Sequence, residues 1–92
     1  MKKIILKGYI LVPKKDLDKI KLELLNHIEL TKKEKGYLVF EVSQDKNELN
    51  KFNVYEEFIN EEAFEIHQKR VIESKWGEIT KDCKRYYEVR EG

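Results

Sequence analysis

The fold is decided by residues 53–67, which read NVYEEFINEEAFEIH. In the first half Val54 and Phe58 share an alternating face with Glu56, and the second half carries apolar side chains at helical spacing. Asn60 stands between the two halves, where the N-cap of a helix is expected, and the two glutamates that follow it favour the positive end of a helix dipole. This stretch therefore predicts a strand that leads directly into a helix.

Similar patterns on either side predict the remaining elements. Residues 3–12 are rich in β-branched and aromatic side chains and stop at Pro13, which cannot donate to a sheet. Apolar side chains then recur at three- and four-residue steps from Leu17 until Gly36, the expected C′ residue of a first helix capped at its start by Asp16. The other predicted elements are an antiparallel hairpin of residues 37–44 and 51–59, a helical piece at 74–81 and a last strand at 84–90.

The resulting order, β-α-β-β-α-β, is that of a ferredoxin-like α+β fold, in which two helices cover one face of a four-stranded antiparallel sheet. We expect one domain over residues 1–92. Both faces of the strands carry large side chains, yet the helices can cover only one. The sequence therefore predicts a homodimer whose sheets pack face to face, with Tyr9, Tyr37 and Tyr87 in the layer between subunits.

Composition argues against several classes of function. The net charge of +1 does not favour binding to nucleic acid, and no apolar run reaches the ~20 residues of a membrane span. The single cysteine, Cys83, allows no internal disulfide, and two histidines on different elements do not predict a metal site. This cysteine usage fits a cytoplasmic protein, which is what we expect. We also expect the Lys/Glu-rich tract at 32–35 to be a solvated helix end.

Three polar side chains are expected on inward faces. Glu56 shares a strand face with Phe52, Val54 and Phe58, while His27 and His67 lie on the apolar lines of the two helices. A buried carboxylate needs a donor or a proton, so Glu56 and His67 are either a hydrogen-bonded structural pair or a proton-transfer group beside a pocket. His27 is open to the same two interpretations.

Aromatic side chains accompany these polar groups. Those on inward positions would either fill the core or form the walls of a pocket for a flat ring. The candidates for contact with a substrate are Phe40, Phe58, Phe64 and Trp76.

The sequence resembles the antibiotic biosynthesis monooxygenase family, including its quinol monooxygenase branch. The resemblance rests on residues 27–42, which contain a His-x3-Thr-x2-Glu-x-Gly pattern, on the Tyr-Glu strand 52–58, and on the Ala-Phe-x2-His helix segment 63–67. It implies a dimeric ferredoxin-like α+β barrel. It also implies oxidation of electron-rich phenols, quinols or polyketide-derived rings by dioxygen, often with no metal or flavin, so no cofactor is expected.

Carried over to this chain, the resemblance makes His27 and His67 pocket histidines, Glu56 the strand carboxylate and Phe58 the pocket aromatic. In this hypothesis His67 is the general base and Glu56 orients it. A second histidine that many relatives carry shortly after His67 is absent, and Trp76 is the candidate for the aromatic position there. Two alternatives stay open: isomerisation of a small hydroxy-ketone, as in another branch of the superfamily, and a non-catalytic dimeric module that binds a small molecule.

Overall fold

A computed structural model describes residues 2–92, which form one antiparallel sheet covered by helices on one face. The strands are β1 (Ile4–Leu11), β2 (Tyr37–Gln44), β3 (Lys51–Phe58) and β4 (Lys84–Glu91), and their order in the sheet is β2-β3-β1-β4. The helices are α1 (Leu17–Lys32), α2 (Glu61–Glu73) and α3 (Lys75–Thr80), with a 3₁₀ turn at Lys14–Asp16 before α1. The predicted ferredoxin-like fold is confirmed, with its second helix divided into two pieces. No helix among the described residues combines the length and the apolar composition that a membrane crossing needs.

The two central strands supply most of the face that packs under the helices. β1 and β3 pair with Leu6 opposite Glu56 and Ile10 opposite Phe52. Residues opposite each other in a sheet share a face, and all four of these side chains are buried. Glu56 therefore lies within a layer of otherwise apolar side chains, as the alternation in β3 predicts.

The helices bury the lines that their spacing predicts. In α1 the buried residues are Ile20, Leu24, His27 and Thr31, and in α2 they are Ala63 and His67. The side chain of Asn60 accepts a hydrogen bond from the backbone N–H of Ala63 at 2.8 Å, which fixes the start of α2 directly after β3.

A serine separates the two helices that follow β3. The Ser74 hydroxyl donates to the carbonyl of Val71 at 2.7 Å and accepts from the backbone N–H of Gly77 at 3.1 Å. It thereby ends α2 and begins α3, and the change of direction turns Trp76 back over the sheet, where it is buried.

The end of α1 differs from the sequence prediction. The helix ends at Lys32, and Gly36 lies in the following turn with a φ of +87° instead of at the C′ position. A Cβ at Gly36 would come within 2.6 Å of the Ala63 Cβ, so the turn can pass this close to α2 only with glycine there. Because the helix stops early, Glu34 leaves the helical surface and lies in the turn.

Two of the three tyrosines assigned to the subunit layer lie elsewhere. A β-bulge between Tyr37 and Val39 changes the phase of β2, so that Tyr37 is opposite Phe58, whose side chain faces the helices. Tyr87 is opposite Gly8, again on the helix side of the sheet. The prediction for these two side chains is wrong, because periodicity alone reveals neither a bulge nor the pairing of an edge strand.

The uncovered face of the sheet mixes aromatic rings with ion pairs. Tyr9 stacks on Tyr86 with ring centroids 5.0 Å apart, and the Lys51 ammonium lies 4.3 Å above the Tyr9 ring. Lys3 donates to Glu57 at 2.9 Å. The homodimer expected through this face stays a prediction.

Candidate active site

The structure brings together three polar side chains from three elements. His27 of α1, Glu56 of β3 and His67 of α2 are 4%, 6% and 1% exposed. The two imidazole centroids are 6.2 Å apart, and His67 Nε2 lies 3.6 Å from Glu56 Oε1. Sequence periodicity predicts this convergence, since each residue occupies an inward position of its own element.

The pairing inside this group differs from the prediction. At 3.6 Å, His67 Nε2 and Glu56 Oε1 are too far apart for a hydrogen bond, so Glu56 does not tie β3 to α2 in that way. Glu56 Oε1 and His27 Nδ1 are both buried, and neither has a hydrogen-bond partner within residues 2–92. Two unpartnered polar atoms thus lie close to His67.

The hydrogen-bond partner of His67 is a different carboxylate. Its Nδ1 lies 3.0 and 3.1 Å from the two carboxylate oxygens of Glu34. Arg70 donates from Nε to Glu34 and from Nη2 to the Thr31 hydroxyl at 2.9 Å, and Thr31 in turn donates to the carbonyl of His27 at 2.9 Å. The expectation of a solvated tract at 32–35 is therefore wrong for Glu34, whose side chain is only 11% exposed.

Burial determines the protonation of the group. It raises the pKa of Glu56 to about 8, and the negative charge of Glu34 adds to this. It lowers the pKa of His27 to about 3, helped by His67 and Arg70. Burial also lowers the pKa of His67, against the opposing effect of Glu34. At neutral pH His27 and His67 are therefore uncharged, and Glu56 mostly keeps its proton.

A cavity of about 690 Å³ lies beside these groups. His27, Glu56 and His67 line it, together with Leu6, Val71 and Trp76. The Trp76 ring stacks on His27 with centroids 4.9 Å apart and an interplanar angle of 6°. The cavity therefore combines aromatic and aliphatic side chains with many polar and charged ones, and concave sites of this kind bind small molecules.

Tyr87 and Arg85 line the same cavity from the edge strand β4. Burial raises the pKa of the Tyr87 phenol to about 12, the positive charge of Arg85 acts against this increase, and Glu56 adds to it. Tyr87 therefore brings a neutral hydroxyl close to the Glu56 carboxyl group. Lys81 also lines the cavity and adds a second cation to it.

The four predicted aromatic residues occupy two different places. Trp76 lines the cavity, whereas Phe40, Phe58 and Phe64 are not among its lining residues. The Phe58 centroid is 4.7 Å from that of His67, and Phe40 contacts His27 edge-on at 5.3 Å. Phe40 and Phe58 thus pack against the imidazoles and restrict their positions, and Phe64 packs against Phe58 at 5.9 Å between ring centroids. The substrate contact expected of the three phenylalanines stays a prediction.

Sequence reasoning overlooked Glu34, Arg70 and Tyr87. Arg70 follows His67 by three residues and so shares its helix face, which is a usable signal. The His-x3-Thr-x2-Glu pattern contains Glu34, but a regular helix running on to Gly36 would have given it another direction. Within residues 2–92, no three His, Cys, Asp or Glu side chains are grouped in a way that could hold a metal ion.

These features define a small ferredoxin-like α+β protein with a buried carboxyl and imidazole group at an aromatic-walled cavity. The profile of the antibiotic biosynthesis monooxygenase family matches residues 4–76, and the chain belongs to this family. No curated protein matches the sequence significantly.

Solved structures share the fold at low sequence identity. A conserved protein of unknown function from Bacteroides thetaiotaomicron, described as a possible oxidoreductase, superposes with a TM-score of 0.84 at 18% identity, covering 99% of this chain and 98% of that one. A proposed antibiotic biosynthesis monooxygenase from Nitrosomonas europaea has a TM-score of 0.81 at 18% identity, over 98% and 89% of the two chains. One from Deinococcus radiodurans has a TM-score of 0.80 at 18% identity, over 97% and 91%.

Proposed function

We propose that this protein is a monooxygenase that oxidises a quinol-like or other electron-rich aromatic small molecule with dioxygen, without a metal or flavin. Membership of the family supports the reaction class. The observation that carries the proposal is the pair of buried, unpartnered polar atoms, His27 Nδ1 and Glu56 Oε1, at a cavity walled by Trp76. Leaving such atoms without partners costs about 1–3 kcal/mol each, and a hydroxyl group of a bound ring would satisfy them.

The chemistry begins with removal of a phenolic proton. Neutral His67, next to the cavity, accepts this proton as the general base. The resulting anion is electron-rich enough to donate an electron to dioxygen, and the apolar walls limit access of water to the intermediates. Glu56, which mostly holds a proton near neutral pH, is positioned to return a proton to an oxygen atom of the intermediate or product.

The overall reaction balances without a further reductant. A quinol and dioxygen give a hydroxyquinone and water: one oxygen atom forms a bond to a ring carbon, and the other leaves as water with two hydrogens from the substrate. The quinol supplies all four electrons. The protein contributes a base, an acid and a cavity that excludes water.

Oxygen consumption with a panel of hydroquinones tests this function. Wild-type protein is expected to accelerate uptake above the autoxidation background. His67→Ala is expected to lower kcat by about 10²–10⁴-fold, and Glu56→Gln to lower it measurably, whereas Glu65→Ala, on the exposed side of α2, is the matched control. Absence of turnover with every hydroquinone, or wild-type rates in both site variants, would refute the proposal.

Isomerisation of a small hydroxy-ketone is a second candidate. Proton abstraction next to a carbonyl needs a base and an acid but no oxygen, and His67 and Glu56 lie 3.6 Å apart on the same cavity. Lys81 and Arg85 would suit an anionic substituent on such a substrate. Turnover of a hydroxy-ketone under strict exclusion of oxygen would favour this reaction over oxygenation.

The active form is proposed to be a cytoplasmic homodimer that pairs through the uncovered sheet face. Tyr9, Val39 and Tyr86 on that face are aromatic or aliphatic, and the lone thiol of Cys83 suits a reducing compartment. Size-exclusion chromatography with light scattering is expected to give twice the mass of one chain. A monomer at micromolar concentration, with full activity, would contradict the dimer.

A further inference from the structure

We propose that Glu34 is a positioning residue: its carboxylate holds the imidazole of His67 in the Nδ1–H tautomer and so presents an unprotonated Nε2 toward the cavity. The catalytic consequence rests on the proposed function, in which His67 is the base. The tautomer itself does not depend on any activity and can be observed directly.

The geometry around Nδ1 leaves one assignment. Both oxygens of Glu34 lie at hydrogen-bond distance, 3.0 and 3.1 Å, from this ring nitrogen. Arg70 donates to the same carboxylate, and carboxylate oxygens only accept hydrogen bonds. Nδ1 must therefore be the donor.

The opposite nitrogen then has a free lone pair. A neutral imidazole carries one N–H, so a proton on Nδ1 leaves Nε2 as an acceptor. Nε2 is the atom that lies 3.6 Å from Oε1 of Glu56, and Glu56 lines the cavity. The other tautomer would turn a nitrogen lone pair against the Glu34 carboxylate and remove the basic atom from the cavity side.

The support for Glu34 extends to α1. Arg70 donates to the Thr31 hydroxyl at 2.9 Å, and Thr31 donates to the backbone carbonyl of His27. These side chains therefore join three segments: helix α1, the turn that follows it, and helix α2. Phe58 packs at 4.7 Å between ring centroids against His67. The Phe58 contact restricts rotation of the His67 ring, and the hydrogen bond from Nδ1 to Glu34 restricts it further.

Four ionisable groups surround His67 and determine its pH response. They are Glu34 in the turn after α1, Glu56 on β3, Arg70 on α2 and His27 on α1. Glu34 raises the pKa of His67, against burial and Arg70. Glu34→Gln removes this negative charge and therefore lowers the pKa of His67 further. The acidic limb of the kcat/KM profile, where His67 becomes protonated, should then move to lower pH.

Nuclear magnetic resonance tests the tautomer. In ¹⁵N-labelled protein, long-range ¹H–¹⁵N correlations of the imidazole distinguish a protonated Nδ1 from a protonated Nε2. Wild-type His67 is expected to show only the Nδ1–H form near neutral pH. Glu34→Gln is expected to relax this preference, because a glutamine amide can either accept from or donate to Nδ1. Glu29→Gln, on the exposed side of α1, is expected to leave the spectrum of His67 unchanged.

Kinetics with 1,4-naphthohydroquinone test the consequence. Glu34→Gln is expected to lower kcat by about 10–100-fold, as loss of a residue that orients a site group commonly does, with KM changed by less than about twofold. Glu34→Asp, which keeps the charge, is expected to recover part of the loss.

The outcomes separate this proposal from the proposed function. An Nε2–H tautomer in the wild-type protein, or an unchanged kcat in Glu34→Gln, would overturn the positioning role of Glu34. Failure of every hydroquinone to react would instead refute the monooxygenase function, and an Nδ1–H spectrum that depends on Glu34 would still support the positioning role.

Discussion

Glu34 and Glu56 lie on opposite nitrogens of His67, and the fold gives them opposite surroundings. Glu34 contacts Nδ1 of the ring and also accepts from Arg70, whereas Glu56 Oε1 faces Nε2 across 3.6 Å and has no hydrogen-bond partner in the described chain. Both side chains are almost buried, at 11% and 9% exposed. Burial is therefore similar for the two carboxyl groups, and what distinguishes them is the Arg70 guanidinium, which of the two contacts only Glu34.

The comparison shows how one imidazole can have a charged side and a neutral side. A buried carboxylate keeps its charge next to a cation and takes up a proton where no cation compensates it. The charged side, with Glu34, fixes the ring. The neutral side, with Glu56, is left able to exchange a proton with whatever occupies the cavity.

Replacing Glu56 is the strongest test of the neutral side. The pKa of Glu56 is about 8 in the folded protein against 4.5 ordinarily, so the folded state binds this proton more tightly. The contribution of Glu56 to the free energy of unfolding should then fall as pH rises from about 4.5 to about 8, by on the order of 4 kcal/mol. Glu56→Gln removes that dependence, so in urea unfolding the free energy of the variant minus that of wild type should increase steadily between pH 5 and 8. Parallel curves would show that Glu56 ionises normally.

The charged side is tested by a double-mutant cycle on Glu34 and Arg70. Glu34→Gln should lower the free energy of unfolding by about 2–3 kcal/mol. This is less than the loss expected for a fully buried ion pair, because the Arg70 side chain is 28% exposed. The coupling energy with Arg70→Gln should be about 1–3 kcal/mol. Glu29→Gln on the exposed side of α1 should change stability by less than about 0.5 kcal/mol. Additive single effects would mean that the guanidinium does not compensate Glu34.

His27 extends the comparison to acid pH. Its pKa is about 3 in the folded protein against 6.5 ordinarily, so the unfolded chain binds this proton more tightly. The effect of His27 alone is therefore to lower the free energy of unfolding as pH drops below 6.5, which opposes the effect of Glu56. Between pH 6.5 and 5 the loss from this group is about 2 kcal/mol. His27→Phe, which keeps a ring against Trp76, should gain stability relative to wild type in thermal or urea unfolding as pH falls from 6.5 to 5. An unchanged acid slope would contradict the burial of a neutral His27.

The smallest effect is expected at Glu57, the neighbour of Glu56 on the uncovered face. Hydrogen bonds from Tyr55 and Lys3 lower the pKa of Glu57, so its contribution to stability is present above its ordinary pKa and is lost as pH falls below that value. Glu57→Gln should therefore be slightly less stable than wild type at pH 6 and should match it at strongly acid pH. A dependence like that expected of Glu56, with stability lost at high pH, would mean that a partner buries this face.

Much of the candidate site could be predicted from residue spacing. Phe52, Val54, Glu56 and Phe58 alternate along β3, and His67 follows Ala63 by one helical turn, so their inward directions are set by periods of two and 3.6. Spacing within one element could not reveal which side chains from different elements form hydrogen bonds with each other. The expected Glu56–His67 hydrogen bond was wrong because the distance between two elements depends on how they pack.

Sequence alone determined the order of the elements, the buried face of each one and the presence of a carboxyl and two imidazoles on those faces, because these follow from local periodicity and capping. Tertiary structure decided which carboxylate holds His67 and which is left to the cavity. The early end of α1 and the positive φ of Gly36 turn Glu34 under α2, and strand pairing brings Tyr87 to the helix side opposite Gly8. Such contacts join residues that are 33 or more positions apart, as Glu34 and His67 are, and no local pattern encodes them.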